Sequence, residues 1–114
     1  MYKYVKIIID KILKIIYNNL IGGVFMAVKL NDDKTVVEIK LSSNDDYMHG
    51  YEKQIEDYAR AEGTDQRIFV YVQVGNSIRD SRIQKRHQER VENGENPPIL
   101  FMIDSQKKKS ASKI

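Results

Sequence analysis

Apolar residues recur every three or four positions between residues 4 and 20, which predicts an amphipathic helix. Its apolar face is aliphatic, and its opposite face carries lysine, aspartate and asparagine. The apolar positions are interrupted too often for a membrane span, and no signal-peptide cleavage site follows. We therefore predict a helix that packs on a sheet; the alternative is a helix lying on a membrane surface.

Strand-like and helix-like patterns alternate over the rest of the chain. Glycines and polar turn residues separate them. The predicted elements begin with a strand over Val24–Leu30, a turn over 31–34 and a strand over Thr35–Leu41. A helix follows from the polar residues 42–46 to about Glu62, and its stripe Tyr47, Tyr51, Ile55 and Tyr58 faces the sheet. The last elements are a strand over Arg67–Val74, a polar helix from Ile78 to about Asn93 that Ile83 and Val91 anchor weakly, and a strand over Ile99–Ile103.

This order predicts an α/β fold with a small mixed β-sheet. The first two strands form a hairpin, and the later strands, joined through helices, run parallel. We expect about four strands flanked by helices. The length allows one domain, over residues 1–104, followed by a flexible basic tail over residues 105–114.

The amino-acid composition limits the chemistry. The chain has no cysteine, which excludes disulfides, a thiolate nucleophile and a cysteine-based zinc site, so we expect a reducing, cytoplasmic location. Its two histidines, His49 and His87, are too far apart in sequence to suggest a transition-metal cage or a Ser/His pair. Any metal should be a hard cation such as Mg²⁺ or Mn²⁺.

The positive charge is concentrated in the tail. The net charge is +3, and removing the four lysines after residue 104 leaves −1. Binding to nucleic acid therefore needs a local patch. Arginines at helical spacing offer one, although interspersed acids make an ordinary solvated face the alternative. These arginines are Arg79, Arg82, Arg86 and Arg90.

The strongest chemical signal is the pair Glu38 and Lys40. These residues are one position apart in an otherwise aliphatic strand, so both side chains point to one face of it. Burying such a pair costs several kcal/mol unless each group finds a partner or a metal. The surrounding sequence therefore has to supply a reason for their presence.

This acid-x-Lys motif is followed by Gln54-x-x-x-Tyr58 on the next helix and then by a Val-rich strand. Together, over roughly residues 24–74, these features resemble the PD-(D/E)XK nuclease superfamily and its RecB-like exonuclease branch. The resemblance implies a restriction-endonuclease-like fold and hydrolysis of DNA phosphodiesters that depends on Mg²⁺ or Mn²⁺.

The resemblance also implies residue roles. Glu38 would hold the metal, and Lys40 would act on the attacking water and the phosphate. Gln54 would orient the site from the helix, and Tyr58 would pack beside it. An ordinary half-buried helix face is the alternative for Gln54 and Tyr58.

A second acid is missing from the expected place, the strand before the acid-x-Lys strand. A turn centred on Asp32-Asp33 places Ala27 opposite Glu38 and Phe25 opposite Lys40, and neither can bind a metal. The strand between the first helix and the hairpin, usual in this family, is absent too. The chain would then be a shortened member, a fragment, or a domain completed by a partner chain.

Other acids could replace the missing one. Asp10 on the first helix is the candidate metal ligand, since other branches take an acid from that helix, although its polar neighbours favour exposure. Asp45 and Asp46 are further options.

We therefore expect a nuclease-like domain that is weak or inactive by itself, with DNA as the partner, RNA as the second choice and no membrane. The alternative is a non-catalytic module that binds nucleic acid or protein through the arginine stripe and the lysine tail. A third interpretation is a structural subunit whose sheet edge pairs with a partner chain.

Overall fold

A computed structural model describes residue 10 and residues 23–30, 33–75 and 77–104. In the first strand only the backbone and the Ala27 side chain are described. The predicted helix over residues 4–20, apart from Asp10, and the predicted tail over residues 105–114 lie outside the described residues.

The described residues form a mixed α/β domain, as predicted. Helix α1 has three consecutive segments, an α-helical Tyr47–His49, a π-helical Gly50–Gln54 and an α-helical Ile55–Ala61. The other elements are β1 (Gly23–Leu30), β2 (Asp33–Leu41), β3 (Arg67–Gln73), helix α2 (Ile78–Glu92) and β4 (Ile99–Asp104).

The strands form one sheet in the order β1-β2-β3-β4. β1 is antiparallel to β2, whereas β2, β3 and β4 run parallel, as expected for strands joined through helices. The acid-x-Lys strand, β2, is thus central in this sheet.

The predicted hairpin register was wrong by two residues. Phe25, not Ala27, lies opposite Glu38, and Gly23 lies opposite Lys40. The cause is the turn: Leu30 pairs with Asp33, so only residues 31 and 32 connect the strands, and two-residue loops are the commonest hairpin connection. A shift by two keeps every residue on its predicted face, because side chains alternate with a period of two.

Both faces of the central strands are buried. On one face Val36, Phe69 and Tyr71 form a cluster with residues from α1 and α2. On the other face the alternating residues of β2 and β3 form a second cluster, Val37, Ile39, Ile68, Val70 and Val72. Glu38 and Lys40 alternate with the second cluster and so belong to the helix-covered face.

The π-helical segment sets which side of α1 faces the sheet. The backbone N–H of Ile55 donates to the Gly50 carbonyl five residues earlier, so this turn holds one residue more than an α-helical turn. Residues spaced by four therefore stay on one side, and Tyr47, Tyr51, Ile55 and Ala59 are all buried. The predicted stripe was correct for its first three members, but Ala59 replaces Tyr58, which is half-buried.

Helix α2 begins at an N-cap in which Ser77 Oγ accepts a hydrogen bond of 3.0 Å from the Arg79 backbone N–H. Ile83 is fully buried, as predicted, but Val91 is 51% exposed and does not anchor the helix. Polar side chains hold this end instead. The Tyr51 hydroxyl lies 2.8 Å from His87 Nδ1, and the Arg90 guanidinium lies 5.1 Å from the Tyr51 ring centroid.

Candidate functional site

Glu38 and Lys40 lie side by side on the helix-covered face of the sheet. They are 2% and 9% exposed, and Lys40 Nζ is 3.5 Å from Glu38 Oε1. Their one-residue spacing puts both on this face, and the apolar residues around them exclude water. The acid and the base are therefore held together in a largely dry environment.

Gly50 lets helix α1 approach this pair closely. A Cβ atom at Gly50 would lie 2.9 Å from Lys40 Cε and 3.3 Å from Phe69 Cε1, so a side chain there would have to displace the end of Lys40. The same point is 3.4 Å from Gln54 Oε1, so it adjoins both Lys40 and the Gln54 amide oxygen. The π-helical segment thus brings Gly50 against Lys40 and buries the amide oxygen of Gln54 next to Gly50.

Two acceptor atoms at this site are buried without a hydrogen-bond donor from the described residues. They are Glu38 Oε2 and Gln54 Oε1. Burial raises the pKa of Glu38 to about 7, and the attraction of Lys40 offsets only part of that effect. The site therefore favours a proton or another positively polarised group at these oxygens.

The side chains at this site do not make a complete divalent-metal site. Glu38 offers one carboxylate, whose Oε1 already faces Lys40, and Gln54 adds one amide oxygen. Mg²⁺ and Mn²⁺ need several oxygen ligands in a fixed geometry, with carboxylates to balance their charge. Within the described part of the chain, no group of three or more His, Cys, Asp and Glu side chains could hold a metal ion.

The acids considered as replacements are exposed to solvent. Asp10 is exposed, and so is Asp46. Asp45 is also exposed, and its Oδ1 accepts a hydrogen bond of 2.7 Å from Arg79 Nη2. Asp45 therefore serves to hold the start of α2 against the loop after β2.

Tyr58 lies on the last segment of α1, half-buried and outside the apolar cluster that its helix forms with the sheet. Of the four residues predicted for catalysis, the structure gathers Glu38, Lys40 and Gln54 in one place. Tyr58 follows one turn later along α1.

The arginine stripe on α2 is mostly neutralised by acids. Arg79 pairs with Asp45, Arg86 with Glu52, and Arg90 with Glu95. Arg82 is exposed, and no acid of the described residues forms an ion pair with it; the same holds for its neighbour Lys85. Three of the four arginines thus fasten α2 to the rest of the fold.

A polar network surrounds the start of α2 at the carboxyl ends of the parallel strands. Asp80 accepts hydrogen bonds from the Tyr71 hydroxyl at 2.7 Å and from Gln73 Nε2 at 3.3 Å. Ser42 Oγ accepts from the Val74 backbone N–H and donates to its carbonyl. Ligands often bind at this edge of an α/β sheet, but the hydrogen bonds here are made within the protein.

Among the described residues, two clefts lie at the other end of the parallel strands, where β2 and β3 begin. The larger, about 550 Å³, is lined by residues such as Lys34, Arg60 and Gln66, and the smaller by Glu56, Arg67 and Asn96. Arg67 is buried there, where it pairs with Glu56 and donates to the backbone carbonyls of Asp65 and Asn96 at 2.9 and 2.8 Å. These clefts are separate from the Glu38–Lys40 pair.

Sequence reasoning gave no role to Gly50, although a signal was present. Glycine in a helix interior is unfavourable by about 1 kcal/mol relative to alanine, so it needs a reason. The close approach of Lys40 supplies that reason.

The profile of a domain of unknown function (DUF8371) matches residues 22–76, which is 55 of the 114 residues. This segment runs from β1 to the turn after β3 and includes Glu38, Lys40, Gly50 and Gln54, but not α2 or β4. No curated protein and no solved structure matched the chain. Among the described helices, none has the length and hydrophobicity that a membrane-spanning segment requires.

Proposed function

We propose that the chain is a PD-(D/E)XK nuclease-like domain with a restriction-endonuclease-like fold, descended from a metal-dependent DNase and weak or inactive by itself. The observation that carries the proposal is the shared position of Glu38 and Lys40. They occupy one buried face of a central strand, 3.5 Å apart, and Gly50 of the facing helix adjoins both Lys40 and the amide oxygen of Gln54. This arrangement fits the acid-x-Lys and Gln-x-x-x-Tyr resemblance of the sequence.

The missing acid supports the second half of the proposal. One carboxylate beside a lysine is a poor ligand set for a hard dication, and β1 has Gly23 and Phe25 at the register positions opposite Lys40 and Glu38. Phosphodiester hydrolysis at such a site would need a further carboxylate from elsewhere in the protein or from a partner. Little or no cleavage by the chain alone is the expected result.

Calorimetry with Mn²⁺ and Mg²⁺ tests the proposal, together with cleavage of plasmid and single-stranded DNA. The variants are Glu38→Gln and, as a matched control, Glu89→Gln on the exposed face of α2. We expect weak Mn²⁺ binding that Glu38→Gln abolishes and Glu89→Gln leaves unchanged. Binding that is unaffected by Glu38→Gln, or no binding at all, would leave the acid-x-Lys pair without a metal-related role and overturn the proposal.

The second candidate is a non-catalytic module that binds nucleic acid or protein through α2. Exposed Arg82 and Lys85, which no described acid pairs with, favour it, whereas the ion pairs of Arg79, Arg86 and Arg90 weigh against it. Titration of a DNA duplex at several salt concentrations tests it. Counterion release predicts that Arg82→Gln with Lys85→Gln reduces the salt dependence of binding, while Lys40→Ala does not.

A further inference from the structure

β4 forms one edge of the sheet, since β3 alone pairs with it among the described strands. Residues Ile99–Ile103 are apolar and partly exposed, whereas Ile68–Val72 of β3 are buried. Edge strands usually carry a charge or a proline that prevents pairing with another chain. Between Ile99 and Ile103 there is neither.

We propose that β4 pairs antiparallel with β4 of a second copy of this chain, with Phe101 opposite Phe101 at the two-fold axis. In this register Ile99 lies opposite Ile103 and Leu100 opposite Met102, so every directly opposed pair within this segment is apolar. Asp104 falls opposite Pro98, and no like charges face each other. The strand is therefore complementary to itself.

Neighbouring registers are less favourable. A two-fold axis perpendicular to the sheet keeps each side chain on its own face of the sheet. The axis must therefore pass beside a residue that pairs with the same residue of the other copy, and the alternatives to Phe101 are its neighbours. Centring on Leu100 would oppose Pro97 to Ile103 and Pro98 to Met102, so two prolines instead of one would face β4, and proline lacks the N–H that pairing requires. Centring on Met102 would oppose the Asp104 carboxylate to Leu100.

Both hydrophobic layers of the protein continue across this junction. Leu100 and Met102 pack against the helix-side cluster, whereas Ile99, Phe101 and Ile103 pack against the cluster on the other face. Because the two-fold axis preserves faces, the helix side of one copy adjoins the helix side of the other. The result is one continuous sheet that contains the four described strands of each copy.

Sedimentation velocity over a wide range of concentration tests this with the full chain, and a spin-label distance locates the contact. The chain has no cysteine, so Asp104→Cys provides a single labelling site. In the proposed register the two labelled Cα atoms are six residues apart along the strands, or about 20 Å. Met102→Lys places a charge on the edge, and Ser81→Lys on the exposed face of α2 is the matched control.

We expect a dimer with a label distance near this value, lost in Met102→Lys and retained in Ser81→Lys. Circular dichroism of Met102→Lys checks that it folds; if it does not, the distance in the Asp104→Cys protein decides. A monomer at all concentrations, or a dimer whose labels are far from this separation, would overturn the proposal.

Discussion

Replacing Glu38 by glutamine should stabilise the protein at neutral and alkaline pH, although it removes an ion pair. Burial raises the pKa of Glu38 from its ordinary value of 4.5 to about 7. Between these values the folded state holds a proton that the unfolded state has released, so the free energy of unfolding falls as pH rises through this window. The full loss is about 3 kcal/mol, because each pKa unit corresponds to about 1.4 kcal/mol.

Urea unfolding of wild type and Glu38→Gln in EDTA measures this effect. Since glutamine resembles a protonated glutamate, the two proteins should differ by less than about 1 kcal/mol near pH 5, and the variant should be more stable by about 3 kcal/mol near pH 8. Glu89→Gln, on the exposed face of α2, should show no such pH-dependent difference. A Glu38→Gln protein less stable than wild type near pH 8 would mean that attraction to Lys40 outweighs burial, and would refute the reasoning.

Three further predictions concern packing and hydrogen bonding. Gly50→Ala should lower the free energy of unfolding by about 1 kcal/mol in chemical denaturation, because displacing Lys40 Cε, which its Cβ would meet at 2.9 Å, costs about 2 kcal/mol and the helix propensity of alanine returns about 1 kcal/mol; a variant as stable as wild type, or more stable, would contradict this. Arg67→Met should lower the free energy of unfolding by roughly 3 to 5 kcal/mol in the same assay, since it removes the guanidinium that donates to Glu56 and to two backbone carbonyls. A variant as stable as wild type would refute this. Burial and Arg90 lower the pKa of His87, so its NMR titration midpoint should lie below 6.5. The contribution of the neutral imidazole to stability should be lost as pH falls below that value. A higher midpoint would exclude a buried neutral imidazole.

The sequence was sufficient to predict the order of the described elements and to predict that Glu38 and Lys40 share one face of the sheet. Both depend on period-two alternation in β2, which a register error of two residues does not change. The register itself depends on the number of residues in the turn. The run Asn31-Asp32-Asp33-Lys34 is polar throughout, so it gave no signal to separate a two-residue connection from a longer one.

The geometry of the site depends on the π-helical segment, which the residue pattern does not specify. A regular helix predicts that Tyr58 follows Ile55 on the buried face, and the extra residue in the turn puts Ala59 there instead. The pairing of Arg79 with Asp45 was equally hidden, because these residues are 34 positions apart and meet only when α2 returns to the end of β2.

The wide turn at Gly50–Gln54 also affects which changes in chain length the protein can tolerate. Removing one residue there would convert the turn to ordinary α-helical geometry, so Ile55 and Ala59 could remain packed against the sheet. The same deletion between Ile55 and Ala59 would rotate every later side chain by about 100° and turn Ala59 away from the apolar cluster. Single-residue deletions between homologous chains are therefore expected to concentrate in this turn, at the cost of the contact between Gly50 and Lys40.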